Sequence, residues 1–338
     1  MKPSKVSDDK LQTLLIIYTG GTIGMQHSDR GYVACANIND LFLKSLSAKT
    51  YSSLMPFEVV ELERLIDSSN AQPNDWLNIA RCIRDNYANY CGFIVLHGTD
   101  TMAYTAAALH HIFGSHTKPI IVTGSQIPMS HARSDAMTNF IDAIAFCRAG
   151  QISQVCLSFA GKLLPAKSAK KVHSSALAAF DCFNATPLAS AAIDIKFAAT
   201  GQPKPAAKEL HISLPQNICG DSVKLLHIHP GISKAVIDAV FLSESTKAVV
   251  ILTYGAGNLP DQNRDLIHSL TRARQKEVVV LNMTQCYGGA VAQGVYAVSS
   301  ILNQLGVISA SDRTLEDVMT DLYINLDQYT KHKSGKPN

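Results

Sequence analysis

The chain has 338 residues, of which 46% are hydrophobic, and its formal net charge is +3. This length predicts two domains with sizeable cores. The small charge gives no reason to expect a nucleic acid or a membrane surface as a partner. No run approaches the ~18 apolar residues of a membrane span, and the first apolar run is too short for a secretory signal. Eight cysteines without a CxxC pair favour reduced thiols, so we expect a cytoplasmic protein.

The first predicted element is a strand over 14–17, whose continuous apolar run is typical of a buried parallel sheet. It leads into the glycine-rich loop Tyr18-Thr19-Gly20-Gly21-Thr22-Ile23-Gly24. A glycine turn is in itself most often only a turn. Ligands of open α/β sheets bind just beyond the carboxyl ends of strands, however, so Thr22 is the candidate nucleophile. Tyr32 follows closely enough to lie on a flap over Thr22, although the sequence alone favours an ordinary surface tyrosine.

Two further predicted strands end in polar side chains. A half-exposed strand over 57–66 is followed by Asp67-Ser68-Ser69-Asn70, and a buried strand over 93–96 is followed by His97-Gly98-Thr99-Asp100-Thr101. Thr99 or Asp100 would serve as readily to cap the next helix as to take part in catalysis. Because the carboxyl ends of parallel strands share one edge of a sheet, we expect these side chains to lie near Thr22.

Strands and helices alternate along most of the chain. Further strands are predicted over 119–124, 155–160, 223–228, 248–253 and 278–281, and helices over 73–87, 102–113, 136–147, 235–242, 261–274 and 315–326. This order predicts an α/β fold of two domains, each with a mostly parallel sheet flanked by helices. We expect a larger N-terminal domain over 1–195 that carries the catalytic residues, a linker over 196–220, and a smaller Rossmann-like C-terminal domain over 221–338.

The segment 161–171 contains four lysines. A phosphate-binding strip is one interpretation, but a solvated loop is the more common meaning of such a run. A threonine hydroxyl is a poor nucleophile until a base accepts its proton and hydrogen-bond donors stabilise the resulting charge. A lysine held near Asp100 would work as a base through Thr99, and the glycine-rich backbone would supply donors. These residues fit acyl transfer with a covalent intermediate, followed by attack of water.

The remaining motifs predict neither a cofactor nor a metal. Gly255-Ala256-Gly257-Asn258-Leu259-Pro260 follows a strand, but Pro260 stands where a dinucleotide site needs a third small residue. His227 and His229 have the spacing of one strand face without a third ligand nearby, so sheet residues are the better interpretation. Cys286 follows a strand, yet no neighbouring residue identifies it as an activated thiol.

A series of motifs resembles the bacterial type I (cytoplasmic) L-asparaginases. They are YTGGTIGM at 18–25, DSS at 67–69, LHGTDTMAYTA at 96–106, VTGSQIP at 122–128, RSD at 133–135, YGAGN at 254–258 and NMTQC at 282–286. The similarity covers nearly the whole chain, and the motifs in this order are far more specific than any one alone. The resemblance implies a hydrolase that converts L-asparagine to L-aspartate and ammonia.

The resemblance also implies a role for each matching residue. Thr22 corresponds to the threonine that attacks the side-chain amide, and Tyr32 to the flap tyrosine. Asp67, Ser68 and Ser69 correspond to substrate-binding positions. A second catalytic set corresponds to Thr99, Asp100 and Lys171, and of these Thr99 and Asp100 also bind substrate. Asn258 corresponds to a residue that reaches a neighbouring subunit's active site, which implies a homodimer or a homotetramer.

The chain departs from the family pattern in two places. Its lysine loop reads PAKSAKK where the family has an RGNRTTK-like loop, so Lys170 is the alternative to Lys171 as the catalytic lysine. Some type I enzymes carry an allosteric arginine in the strand before YGxGN, where this chain has Leu252, although Cys286 matches that site. We therefore expect that this allosteric control is not retained.

Three alternatives to an asparaginase remain open at this point. Glutaminase or mixed activity is one, because an extra methylene is worth only about 1–3 kcal/mol to a binding pocket. The ammonia-producing subunit of an amidotransferase is another, although such subunits usually carry an added domain. The third is a catalytically weakened sensor that binds amino acids, which the altered lysine loop suggests and the presence of Thr22, Thr99 and Asp100 argues against.

Overall fold

The computed structural model describes residues 12–29, 31–34, 37–199, 212, 214–294 and 297–333. The chain divides into two compact units, Met1–Asn217 and Ile218–Asn338. Each unit is built on its own sheet with helices packed against it, which confirms the predicted two-domain α/β class. Within the described residues, no helix combines the length and the apolar character that a membrane span requires.

The first unit contains an eight-stranded sheet. In spatial order its strands are Ile195–Phe197, Ala189–Ala191, Lys162–Pro165, Val155–Phe159, Ile120–Thr123, Gly92–Leu96, Leu14–Tyr18 and Phe57–Glu61. The last five run parallel to one another, and the first three are joined antiparallel. The sheet is therefore mostly parallel, and its parallel part carries the strands predicted to bear the site.

Two apolar cores cover the two faces of this sheet. Leu15 and Ile17 belong to one core, whereas Leu14, Ile16 and Tyr18 belong to the other. This division follows from the two-residue period of side chains along a strand. The strand is buried at all five positions, which is why its sequence is apolar without alternation.

Helices and two short hairpins complete the first unit. The helices are Ile38–Ser45, Ala48–Ser53, Pro73–Asn86, Met102–Phe113 and Ala136–Arg148, and the paired short strands are Met25–Ser28 with Gly31–Ala34 and Lys170–Lys171 with Phe180–Asp181. Pro73 occupies the first position of its helix, where its missing N–H has no cost. The Asp75 carboxylate accepts a 2.8 Å hydrogen bond from the Gln72 N–H and so helps to fix where this helix begins.

Among its described residues, the second unit contains a four-stranded parallel sheet and four helices. Its strands, in spatial order, are Val223–His227, Ala248–Thr253, Val279–Thr284 and Ile308–Ser309, and its helices are Lys234–Phe241, Arg264–Gln275, Ala297–Gln304 and Leu315–Lys333. The two central strands are buried at every position and have an apolar core on each face. The last helix is interrupted by a kink at Asn325, beside residue 326 where the apolar spacing predicted its end, and helical turns then continue to Lys333.

The lysine-rich segment 161–171 is not the solvated loop that its composition suggested. Lys162–Pro165 is a strand, and residues 166–168 form a short 3₁₀ turn. Apolar residues stand between the lysines, and Leu163, Leu164, Ala166 and Ala169 are buried in the first unit. In the range predicted as linker, the strand Ile195–Phe197 includes two residues beyond 195, while 200–211 and 213 lie outside the described residues.

Candidate active site

Two loops leave the parallel sheet side by side. The strands Leu14–Tyr18 and Gly92–Leu96 are paired in register, so that Tyr18 stands opposite Leu96 at their carboxyl ends. Thr19 donates to the Leu96 carbonyl from both its N–H, at 3.1 Å, and its hydroxyl, at 2.9 Å. The Thr22 loop (residues 19–24) and the Asp100 loop (residues 97–101) therefore begin at adjacent points on one edge of the sheet.

Gly21 and Gly98 bring these two loops into backbone contact. Gly21 has a φ of +87°, and a Cβ at this position would lie 2.3 Å from the Gly98 nitrogen. Such a distance is possible only for glycine. Thr22 and Thr99 each follow directly after one of these two glycines, so this contact brings the backbones of the two threonines close together. Thr22 is half-buried, and Thr99 is buried with 6% of its surface exposed.

Ser68 joins a third loop, residues 67–70, to the Asp100 loop. Its hydroxyl accepts a 3.2 Å hydrogen bond from the Asp100 N–H, and its carbonyl accepts a 2.8 Å bond from the Thr101 hydroxyl. A Cβ on Gly98 would lie only 2.4 Å from the Ser68 hydroxyl oxygen. Ser68 is buried, and because a hydroxyl both donates and accepts, its own hydrogen remains to be donated.

Asp67 and Ser69 flank Ser68 on the exposed side of this loop. The Asp67 carboxylate accepts a 3.1 Å hydrogen bond from the Ser69 N–H and caps the 3₁₀ turn Ser68–Asn70. Both side chains are exposed, whereas Ser68 is buried between them. The turn therefore presents a carboxylate and a hydroxyl to solvent beside the point where the three loops meet.

Lys171 provides the cation of the site. Its Nζ atom donates a 2.9 Å hydrogen bond to the Thr99 hydroxyl and a 2.7 Å ion-paired bond to Asp100 Oδ1. Lys171 lies on a short strand opposite Phe180, and Lys170 lies opposite Asp181. Successive side chains of a strand point to opposite faces, so of these two neighbours it is Lys171 that reaches Thr99 and Asp100.

His97 lies behind the Asp100 loop as a buried, neutral imidazole. Its Nδ1 lies 2.7 Å from the Gly98 carbonyl, and its Nε2 lies 2.9 Å from the Thr105 hydroxyl. Because a carbonyl only accepts, Nδ1 carries the hydrogen and Nε2 accepts from Thr105. Burial lowers the pKa of His97, and the bond to Gly98 and the charge of Asp75 oppose that shift. The imidazole thereby ties the loop before Thr99 to the helix that follows it.

Gln126 and Asp135 connect the lysine strand to the sheet. The Gln126 carboxamide donates to the Ser174 and Ala176 carbonyls, at 3.2 and 3.1 Å, just after Lys171 in the chain. The buried Asp135 carboxylate accepts from the Gln126 N–H at 3.0 Å and from the Ile127 N–H at 2.9 Å. Asp135 thus fixes the backbone of the turn after the strand Ile120–Thr123, and the Gln126 side chain of that turn holds the segment that follows Lys171.

Two of the predicted site residues remain. Tyr32 lies in the strand Gly31–Ala34, opposite His27, but its side chain lies outside what the structure describes. Asn258 belongs to the second unit and ends the turn after the strand Ala248–Thr253, where its N–H donates a 2.9 Å bond to the Tyr254 carbonyl. Leu252 and Cys286 also belong to the second unit, the first buried and the second exposed.

The structure thus joins Ser68, Thr99, Asp100 and Lys171 by hydrogen bonds and places the loop that carries Thr22 against the Asp100 loop, so that four separate segments of the first unit meet. A hydroxyl, a second hydroxyl hydrogen-bonded to a lysine amino group, and a carboxylate are groups that nucleophilic attack on an amide uses. Among the described residues, no group of three His, Cys, Asp or Glu side chains is placed to hold a metal ion. Sequence reasoning gave no role to His97, which follows directly on a predicted strand, or to Gln126, which lies two residues beyond another.

Comparison with known proteins identifies the family. Residues 13–202 match the model of the N-terminal asparaginase domain, and residues 222–336 match that of the glutaminase/asparaginase C-terminal domain. L-asparaginase 1 of Escherichia coli K12 is 38% identical over 317 residues, which are 94% of this chain and 92% of that protein.

Solved structures agree with these matches. L-asparaginase I of Vibrio cholerae superposes with a TM-score of 0.83 at 36% identity and covers 97% of this chain and 98% of its own. The thermostable L-asparaginase of Thermococcus kodakarensis has a TM-score of 0.81 at 28% identity and covers 94% and 96%. The chain therefore belongs to the type I L-asparaginases, within the asparaginase family of amidohydrolases.

Proposed function

We propose that this chain hydrolyses L-asparagine to L-aspartate and ammonia, with Thr22 as the nucleophile. The relatives that carry the name L-asparaginase support the substrate, and they match this chain over almost its full length. The observation that carries the catalytic part of the proposal is the pair of bonds from Lys171 to Thr99 and Asp100, beside the contact of Gly21 with Gly98.

The proposed reaction has two stages. In the first, the Thr22 oxygen forms a bond to the side-chain amide carbon while its proton passes through Thr99 to Lys171. The C–N bond then breaks as the amide nitrogen takes up that proton from Lys171 and leaves as ammonia. In the second, water attacks the threonine ester and gives one proton to the Thr22 oxygen as the ester bond breaks, which releases aspartate and restores the threonine hydroxyl. Proton transfer by positioned groups of this kind contributes typically ~10²–10⁴ in rate.

Substrate binding is proposed for the polar residues around the two threonines. Asp67 would bind the α-amino group, the hydroxyls of Ser68 and Ser69 would donate to the α-carboxylate, and Tyr32 would close the flap. The capped turn that carries Asp67 and Ser69 supports this assignment, because it exposes a carboxylate and a hydroxyl together. The carboxylate of Asp100 would hold Lys171 and contact the substrate's amino group.

The complete enzyme is proposed to be a homodimer or a homotetramer in the cytoplasm. The match of the YGAGN turn to the family motif supports a contribution of Asn258 to a neighbouring subunit's site. The seven cysteines in the described part of the chain are all free thiols, which fits a reducing compartment.

The proposal is tested by measuring ammonia release from L-asparagine and from L-glutamine by the purified chain. We expect turnover of asparagine and a lower kcat/KM for glutamine. A higher kcat/KM for glutamine would reassign the chain as a glutaminase, since one methylene separates the two substrates. Binding of asparagine in calorimetry without release of ammonia would instead identify a sensor.

A further inference from the structure

We propose that Asn282 is a positioning residue for Asn258: its buried carboxamide holds the peptide bond that precedes Asn258 and so sets where the Asn258 side chain projects. This inference rests on the proposed function, in which Asn258 acts on substrate. All the contacts that carry it lie in the second unit, at the carboxyl ends of two adjacent strands, Ala248–Thr253 and Val279–Thr284.

Asn282 uses its whole carboxamide in bonds to its surroundings. It is fully buried, and its Oδ1 accepts a 2.6 Å hydrogen bond from the Thr253 hydroxyl. Its Nδ2 donates to the Gly257 carbonyl at 3.1 Å and to Gln293 Oε1 at 3.1 Å. A buried amide with every hydrogen and an acceptor site engaged is fixed in both position and orientation.

The peptide between Gly257 and Asn258 is held at both ends. Its carbonyl oxygen accepts from Asn282, and its N–H donates to the Tyr254 carbonyl at 2.9 Å. The Tyr254 N–H donates in turn to the Asn258 carbonyl at 2.9 Å. A planar peptide has no freedom of its own once both polar groups are engaged, so the direction of the Asn258 Cα–Cβ bond is set by the backbone.

Gly257 permits the close approach that this arrangement needs. Its φ is +105°, and a Cβ at this position would lie 2.9 Å from Asn282 Nδ2 and 2.6 Å from Val291 Cγ1. The backbone of the turn therefore packs directly against the Asn282 carboxamide. In the same turn, Gly255 has a φ of +49° and nothing within 4 Å of the position of its Cβ. These two glycines form a natural matched pair for mutation.

Within the described chain, the Asn258 side-chain oxygen has no hydrogen bond that would hold it in place. This Oδ1 atom is buried and accepts no hydrogen bond from any residue that the structure describes. Its position must then come from the backbone that carries it, and the Asn282 bond is the side-chain contact that holds this backbone. Asn282 thus acts on the proposed reaction through Asn258 and touches no substrate itself.

The test is a double-mutant cycle on kcat/KM for asparagine, with Asn282→Ala, Asn258→Ala and the double variant in the full-length oligomer. We expect Asn282→Ala to lower kcat/KM about tenfold or more and to change the same parameter, KM or kcat, as Asn258→Ala does. In the Asn258→Ala background the second substitution should cost less than about twofold. An equal loss in both backgrounds would overturn the proposal, because Asn282 would then act independently of Asn258.

Thr253→Val is the control for stability. It removes the bond to Asn282 Oδ1 and leaves the Gly257 bond in place, so we expect kcat/KM to stay within about threefold of the parent. A loss as large as that of Asn282→Ala would count against a specific effect on the turn. If Asn282→Ala does not fold, Gly257→Ala disturbs the same contact from the turn, and it should lower kcat/KM at least about tenfold more than Gly255→Ala.

A second measurement does not depend on catalysis. Hydrogen exchange of the Asn258 amide reports its bond to Tyr254, and Asn282→Ala should speed it about tenfold or more relative to amides in the strand Val279–Thr284. Unchanged exchange would overturn the positioning role even in an active enzyme. If the parent releases no ammonia while the exchange responds as expected, the proposed function fails and the positioning of Asn258 stands.

Discussion

The Nζ atom of Lys171 lies 2.9 Å from the hydroxyl oxygen of Thr99, although 72 residues separate them in the chain. The contact depends on strand alternation, which directs Lys171 and Lys170 to opposite faces, and on the antiparallel pairing of Lys171 with Phe180. It brings the lysine strand to the loop that follows a central parallel strand. The reactivity proposed for the site depends on this contact being maintained.

Replacing Lys171 by Met should lower kcat for asparagine by about 10²–10⁴-fold, because Thr99 loses the group that takes its proton. Met keeps most of the side-chain volume, so the fold should be retained. Steady-state measurement of ammonia release tests this. The matched control is Lys170→Met on the same two-residue strand, which should stay within a few-fold of the parent. The reverse order of effects would make Lys170 the catalytic lysine.

Gly21→Ala should destabilise the protein more than Gly31→Ala. Both glycines have positive φ, +87° and +93°, so both substitutions carry similar backbone strain. Only at Gly21 would the added methyl meet another backbone, that of Gly98. We expect the free energy of unfolding, from urea denaturation, to fall by about 1–3 kcal/mol more for Gly21→Ala. Equal losses would mean that the two loops are not in contact.

Gln126→Glu should lower kcat/KM by about tenfold to a hundredfold. The substitution replaces a donor to the Ser174 and Ala176 carbonyls by a carboxylate that repels them, and this releases the segment after Lys171. Gln151→Glu makes the same change of charge at an exposed position of the first unit and should be near neutral. Kinetics on both variants test this. A loss shared by both would indicate a general effect of charge.

The stability of the fold should decrease as pH falls below about 6.5, in part because of His97. Burial lowers the pKa of His97 from its ordinary value of 6.5, and it does the same to His116. The unfolded state therefore binds more protons below pH 6.5, and the free energy of unfolding falls by up to about 1.4 kcal/mol per pH unit for each such histidine. The contribution of these two neutral histidines to the free energy of unfolding is fully present above pH 6.5.

Urea titrations at several pH values between 8 and 5.5 measure this slope. In His97→Gln the decline below pH 6.5 should be shallower than in the parent, since one buried titrating group has been removed. The variant should also lose about 1–3 kcal/mol at all pH values through the bonds to Gly98 and Thr105. Parallel slopes in parent and variant would show that His97 is not responsible.

Continuous apolar runs made the parallel strands predictable from sequence. The strand over 248–253 and the helix over 102–113 have the predicted bounds, because each carries a periodic or continuous pattern that ends at turn residues. The strand from Phe57 ends at Glu61, five residues before the alternation of its sequence does. Alternation reports which side chains face a core and does not report where pairing with the neighbouring strand stops.

Candidate site residues could be identified from sequence where a motif follows a predicted strand. Side chains that hold another segment of the chain in place could not. Thr22, Ser68 and Thr99 follow predicted strands, whose carboxyl ends share an edge. The resemblance already favoured Lys171 over Lys170, but the physical reason lies in the register with Phe180, which depends on a pairing that no local pattern encodes. The role proposed for Asn282 likewise depends on the bond from its Nδ2 to the Gly257 carbonyl, which the sequence does not predict.

The most direct test of the account is the rate of ammonia release from L-asparagine by Thr22→Val beside the parent chain. Valine preserves the branched shape of threonine and removes only the hydroxyl that is proposed to attack the amide. The account predicts turnover in the parent and a loss of about 10⁴-fold or more in the variant, with the fold unchanged by circular dichroism. Turnover in Thr22→Val within about tenfold of the parent would contradict it.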